Sequence, residues 1–363
     1  MHGKDLSILI VTYNSRPLID ALLDGLAAQI AGLGAGMNAG LSAGLSAEVV
    51  LVDNASHDGT ADAVAERHPA VRLLRSPRNL GFAAGNNLAA AHAQGRVLLL
   101  LNPDALPEPG CVARGLALMD AHPGVGLAGA RLLAEDGGTQ PSARMFPTLA
   151  QEAFVLSGLA ARYPRSRLFS RLDRGWADPS YAAPVDWVPG AFALIRRSLF
   201  DSLGGFDERF FLYYEEVDLC RRVKEAGCSV IYWPELRVGH IGGVSARTVA
   251  GATVARAGSQ LTLWCARSGL LYGFLVIARG HHQHGDLPAQ VVARPLQQVR
   301  AGAVGQHPVD EQEVEAFLLQ RFDVGGRRAE GTHAVPGAFE PETDDGDLVR
   351  VVFRDADVHG APW

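Results

Sequence analysis

The chain has 363 residues, which at roughly 150 residues per domain leaves room for one large domain with an appendage, or for two domains. Hydrophobic residues make up 48% and charged residues 20%, a globular mixture that excludes global disorder and a fibrous repeat. A net charge of -6 excludes a generally basic nucleic-acid binder, so a phosphate partner has to be held locally and no nucleic acid is expected.

The four cysteines, Cys111, Cys220, Cys228 and Cys265, form no Cys-x-x-Cys pair. Neither a disulfide framework nor a metal knuckle is expected, and a reducing, cytoplasmic setting follows. Met1 to Asp5 lead straight into a strand-like run without the regions of a signal peptide. The apolar run Gly269 to Ala278 is far shorter than the ~18 residues a spanning helix requires, so no membrane span is expected.

In chain order, Leu6 to Val11 predicts a strand and Leu18 to Ile30 a helix. Ala31 to Ala47, built of Ala, Gly, Leu, Ser and Asn, predicts a flexible insertion without chemistry. Glu48 to Val52 is a second strand, Ala61 to Arg67 a helix, Val71 to Leu74 a third strand, Asn86 to Gln94 a helix and Arg96 to Leu101 a fourth strand. Strands apolar throughout, alternating with helices, predict an α/β fold whose parallel sheet is covered on both faces. Polar clusters at Thr12 to Asn14, Asp53 to Ser56 and Asn102 to Asp104 close three of these strands, where ligands of such sheets bind. Gly110 to Ala121 predicts a further helix; the stretch from there to Pro184 has no clear period. From about Gly280 only a helix near Asp310 to Arg321 and a strand near Leu348 to Phe353 stand out, and His281 to His284 reads as a solvated turn.

Several residues admit two readings. Asp53 can accept from the ring N-H of a uracil or thymine, or can cap a helix. Asp104, in Asn102-Pro103-Asp104, supplies an oxygen for a hard cation on a diphosphate, or shapes a turn. Arg78 to Asn87 carries glycines that allow a backbone to approach sugar or phosphate, or simply forms a turn before a helix; its spacing is neither a Walker loop nor a dinucleotide fingerprint. Glu215, Glu216 and Asp218 crowd three acids into four positions, which suits a general base and equally suits a helix N-terminus. His240 is either a core histidine or a metal ligand.

Taken in order, these residues resemble the family 2 inverting glycosyltransferases, in particular a bacterial rhamnosyltransferase-like branch. The resemblance runs from about Asp5 to Ser245 through Val11-Thr12-Tyr13-Asn14, Val52 to Ser56, Asn79-Leu80-Gly81-Phe82, Leu101 to Asp104, Trp187 to Arg197, Gly205 to Glu208, Tyr214 to Arg222, and His240. It implies a GT-A fold of mixed, mainly parallel sheet, with a nucleotide-sugar half over about 1–125 and an acceptor half over about 126–245. A helical extension over 246–280 and a divergent segment over 281–363 follow. The implied partners are a nucleotide-diphosphate sugar, with dTDP-rhamnose among the candidates, and a cell-envelope glycan or lipid-linked acceptor; peripheral contact with the inner face of the plasma membrane is implied as well.

Carried over by residue, the resemblance assigns Thr12, Tyr13, Asn14, Asp53, Asn54, Asn79, Gly81, Asn86 and Asn102 to the donor. Asp104 becomes a ligand of Mg2+ or Mn2+, with His240 as an additional one because Asn102 stands where the family's metal motif has its first Asp. Glu216 takes the catalytic base position, with Glu215 as the fallback, while Trp187, Pro189, Gly190, Ala191 and Asp218 fall on the acceptor side. Two other classes share parts of this pattern. A nucleotidyltransferase would carry a glycine-rich basic loop after its first strand, which Thr12 to Pro17 is not; a degenerate sugar-binding scaffold is the non-enzymatic alternative.

Overall fold

The computed structural model describes residues 3–34 and 45–242, all within the first of two compact units, Met1–Thr253. Expectations for 35–44, 246–280 and 281–363, including His281 to His284, lie outside the described residues.

Along the chain run β1 (Leu6–Thr12), α1 (Arg16–Gly34), β2 (Ala47–Asp53), α2 (Thr60–Arg67), β3 (Arg72–Arg75), α3 (Gly81–His92), β4 (Val97–Leu101) and β5 (Ala105–Pro107). They continue as α4 (Cys111–Ala121), β6 (Val125–Leu133), α5 (Leu149–Leu156), α6 (Leu159–Arg162), β7 (Ala183–Pro184), β8 (Phe192–Arg196), α7 (Arg197–Ser202), α8 (Glu215–Glu225) and β9 (Ser229–His240). The sheet order is β3-β2-β1-β4-β8-β6-β9-β5, with β7 also on β9. The β3, β2, β1 and β4 group is parallel, β8 joins it antiparallel, and β6 pairs β9 in parallel. This is the mixed α/β arrangement the resemblance implies.

The parallel half is built on strands whose centres are apolar and covered on both faces, β1, β2 and β4. Leu6, Ile8, Leu9 and Ile10 of β1 and Leu98 and Leu99 of β4 are all fully buried. In-register pairing sets Thr12 of β1 beside Asp53 of β2, so two of the polar strand ends are neighbours.

Two expected boundaries move. The first helix runs past Ile30 to Gly34, because Leu33 continues its buried stripe after Leu22, Leu23 and Leu26. The third begins at Gly81, five residues before Asn86. The Asn79 side chain accepts from Gly81 N, and Asn86, inside the helix, donates to Phe82 O at 3.0 Å. The strands β5, β6 and β9 fall where sequence periodicity is weak. β9 has a mixed burial pattern, and its pairing with β6 is broken by register shifts, so neither a period of two nor an unbroken apolar run marks it.

Candidate active site

One cavity of about 210 Å³ opens at the ends of these strands, lined by residues from separate parts of the chain. Asn102 and Asp104 come from the turn after β4, His240 from the end of β9, and Glu215 and Glu216 from the start of α8. Phe82, Pro189 to Ala191, Leu212 and Tyr213 complete the wall.

The acid and the histidine meet because β5 pairs antiparallel with β9, with Ala105 opposite His240. Ile241 N donates to Asp104 O, and His240 Nε2 lies 3.6 Å from Asp104 Oδ1. The tautomer follows from Gln140. Its amide nitrogen donates to the His240 carbonyl at 2.7 Å, so its oxygen is left to accept from His240 Nδ1 at 2.7 Å. The Nδ1 therefore carries the proton, and the bare Nε2 lone pair faces a carboxylate oxygen. Burial holds the imidazole pKa below its ordinary value although the Asp104 charge pulls the other way, which keeps the ring neutral.

Two acceptors facing each other at 3.6 Å fit a cation between them. One nitrogen and one carboxylate oxygen suit Mn2+ at least as well as Mg2+. Among the described residues no group of three or more His, Cys, Asp or Glu is placed to hold a metal, so the remaining ligands would be diphosphate oxygens and water.

The carboxylate pair is aimed by strained backbone. Tyr213 and Tyr214 both have positive φ, 72° and 69°, conformations unfavourable for bulky residues, and they turn the chain so that α8 starts at the cavity. Glu215 Oε2 and Glu216 Oε2 are buried without a hydrogen-bond partner. Burial, then the Glu216 charge, raises the Glu215 pKa well above the carboxylate range. Burial also raises Glu216, to about 7, while a backbone amide and the Arg144 charge restrain the rise. Burial and the Glu216 charge thus disfavour the ionised form of Glu215, and Glu216, at about 7, can exchange a proton near neutral pH.

The other expected residues sit around this cavity with different partners. Pro189, Gly190 and Ala191 line it, whereas Trp187 lies behind them, its indole N-H donating to Met145 O and its ring beneath the Arg144 guanidinium at 4.7 Å. Asp218 does not reach the cavity; its carboxylate accepts from Arg222 at 2.8 Å, and Arg222 also donates to Leu203 O and Gly205 O. That network ties α8 to the preceding turn.

Asn54, Asn79, Gly81 and Asn86 hold the segment that presents Phe82. Asn54 donates to Gly81 O, and Phe82 N donates to Phe211 O. Asp53 is 3% exposed and does not line the cavity; it accepts from the Thr12 hydroxyl at 3.3 Å and from Ser56 N at 3.1 Å. Asn14, with φ 51°, accepts from His57 N, and Tyr13 lies between it and Thr12. The Thr12 to Asn14 and Asp53 to Ser56 loops therefore interlock beside the cavity.

Sequence reading missed Gln140 and Arg144. Both come from the stretch without period, and their roles arise from pairings about 100 and 43 positions away that no local pattern reports.

The glycosyl transferase family 2 model matches residues 7–204. The N-acetylglucosaminyl-diphospho-decaprenol L-rhamnosyltransferase of Mycobacterium tuberculosis is 34% identical over 203 residues, which are 53% of this chain and 66% of that protein. The rhamnosyltransferase WbbL of Escherichia coli is 26% identical over 171 residues, 44% of this chain and 60% of that one. The chain thus spans somewhat less than two thirds of the length of these relatives. Among solved structures, a Pyrobaculum calidifontis mannosyltransferase in complex with GDP-Man and Mn2+ aligns with a TM-score of 0.48 at 22% identity, covering 74% of this chain and 65% of that one. By the match over residues 7–204, this chain belongs to glycosyl transferase family 2.

Proposed function

We propose that the protein moves a sugar, with inversion at the anomeric carbon, from a nucleotide-diphosphate sugar to a hydroxyl of a lipid-linked or cell-envelope glycan. Rhamnose from dTDP-rhamnose is the favoured donor, in line with the names of its relatives. The observation that carries the reading is the meeting of two unlike pairs in one cavity, Asp104 with His240 and Glu215 with Glu216.

Glu216 accepts the proton of the acceptor hydroxyl as that oxygen forms its bond to the anomeric carbon. The bond from that carbon to the diphosphate oxygen breaks, and its electron pair leaves with the diphosphate. Burial and the Glu216 charge disfavour the ionised form of Glu215, which leaves Glu216 as the base. Asp104 and His240 would hold the divalent cation, which supplies charge neutralisation on the departing diphosphate. The Thr12 to Asn14 and Asp53 to Ser56 loops take the nucleoside end, with Asn54, Asn79, Gly81, Asn86 and Asn102 keeping the donor side in shape. Pro189 to Ala191 and Trp187 wall the acceptor side, and Asp218 supports it through α8.

A thermal-shift panel of dTDP-rhamnose, UDP-sugars and GDP-sugars, with Mn2+ or with chelator, tests this. One donor should raise the melting temperature only with metal, and Asp104→Ala should abolish that rise. A donor-induced rise unaffected by chelator refutes the metal assignment, and no response to any donor refutes the reading as a whole.

A further inference from the structure

The chain as a whole is acidic, yet residues 153–172 contain Arg162, Arg165, Arg167 and Arg171 and no Asp, Glu or Lys. All four arginines are exposed, and among the described residues none of them is in an ion pair. Apolar side chains stand among them. Leu168 is 59% exposed and Tyr163 46%, two of the five large hydrophobics exposed among the described residues.

This surface is built. Phe169 packs edge-on against Phe154 at 5.0 Å and beside Tyr163 at 5.4 Å. The Ser166 hydroxyl accepts from the Leu168 and Phe169 amides, and Gln151 binds Leu168 O and Leu172 N, which pins the turn that raises Leu168. The platform is also fastened to the acceptor-side wall. Met145 N donates to Leu172 O, and the neighbouring Arg144 pairs with Asp173. Arg144 is bridged to Trp187, two residues before the cavity-lining Pro189.

Arginines without an ion pair among the described residues, Arg162 lying over the Tyr163 ring at 5.8 Å, around a protruding leucine match an anionic bilayer surface. The guanidinium groups meet the headgroup phosphates, the leucine enters the acyl boundary, and the tyrosine sits between. The geometry points to residues 162–171 as a peripheral membrane-docking platform that sets the acceptor side of the cavity toward an anionic lipid surface. Its purpose rests on the lipid-linked acceptor reading above, but the surface itself can be tested without donor or acceptor.

The test is flotation of the full chain with vesicles of phosphatidylcholine alone or mixed with phosphatidylglycerol, at low and high salt. The wild type should float with the mixed vesicles only, and high salt should release it. Replacing Arg162, Arg165, Arg167 and Arg171 together by Gln should lower that partition at least about tenfold, and replacing them by Lys should largely preserve it. Leu168→Glu should also weaken flotation while leaving binding to a soluble polyanion such as heparin intact. Equal flotation of the four-Gln variant, no flotation of the wild type, or undiminished flotation of Leu168→Glu each overturns the platform. The donor-induced thermal shift, measured on the same samples, should be unchanged in every variant; its absence in the wild type sinks the transferase reading and leaves the flotation result standing.

Discussion

Gln140 grips His240 at two points, donating to its carbonyl and accepting from its Nδ1, both at 2.7 Å and across 100 positions of sequence. The grip fixes the tautomer that leaves Nε2 bare toward Asp104, so Gln140 would orient the proposed metal ligand. Gln140→Leu should weaken Mn2+ binding about 10- to 100-fold, measured by electron paramagnetic resonance of the free ion, with little change in fold. Gln140→Glu, which can still accept from Nδ1, should retain tight binding. Equal Mn2+ affinity in the Leu variant would take Gln140 out of this role.

The proposed role of Glu216 as base requires its deprotonated form, so kcat/KM should rise as pH increases through about 7. Glu216→Gln should lower turnover by a factor on the order of 10² to 10⁴ and leave donor binding in place. The stability effect has a definite sign. A carboxyl whose folded pKa lies above its unfolded value binds more protons when folded, so its contribution is fully present below about 4.5 and is lost as pH rises through about 7. Glu216→Gln should therefore be more stable than wild type above pH 7, by something on the order of 2 kcal/mol, and the gain should fade in acid. Denaturant melts at acid and alkaline pH decide this; a gain that does not vary with pH would mean that Glu216 is not titrating as described.

Arg144 restrains the Glu216 pKa through its charge while stacked over Trp187. Replacing it by Met removes the charge and keeps much of the bulk, so the rising limb of the pH-rate profile should move to higher pH, by on the order of half a unit. Arg144→Lys should move it less. A limb that stays where it is in the Met variant would assign Arg144 to acceptor binding or packing only.

Gly81 has φ +80°, and a β-carbon there would lie 2.3 Å from Phe211 O, the carbonyl that receives the Phe82 amide. Gly59 has a similar φ, +82°, with open space around it. Gly81→Ala should therefore cost at least about 2 kcal/mol and displace Phe82 from the cavity wall, whereas Gly59→Ala should cost only about 1 kcal/mol. Equal losses in urea melts of the two variants would show that the Phe211 contact yields without strain.

Much of the parallel half could be read directly. Ile8 to Val11, Val49 to Val52 and Val97 to Leu101 are apolar runs because both faces of their strands are covered, and burial on both faces leaves its mark in the local sequence. The polar residues that end these strands, Thr12, Asp53 and Asn102, were identifiable for the same reason: an abrupt switch from apolar to polar marks the edge of a covered sheet. The acids at 215, 216 and 218 were visible as a cluster, but their division of labour was not. Glu215 and Glu216 line the cavity while Asp218, in the same first turn, accepts from Arg222, and it is the packing around α8 that selects among them.

What the sequence determined by itself, then, is the set of strand-ending polar residues and the family pattern they form, since both are written in short runs of neighbouring side chains. What only the tertiary structure decided is partnership. His240 faces Asp104 because β9 and β5 pair, Gln140 selects its tautomer from a hundred positions away, and burial raises the pKa of both Glu215 and Glu216, Glu216 to about 7. Such effects depend on distance in space and on exclusion of water, and neither can be read from the order of residues along a chain.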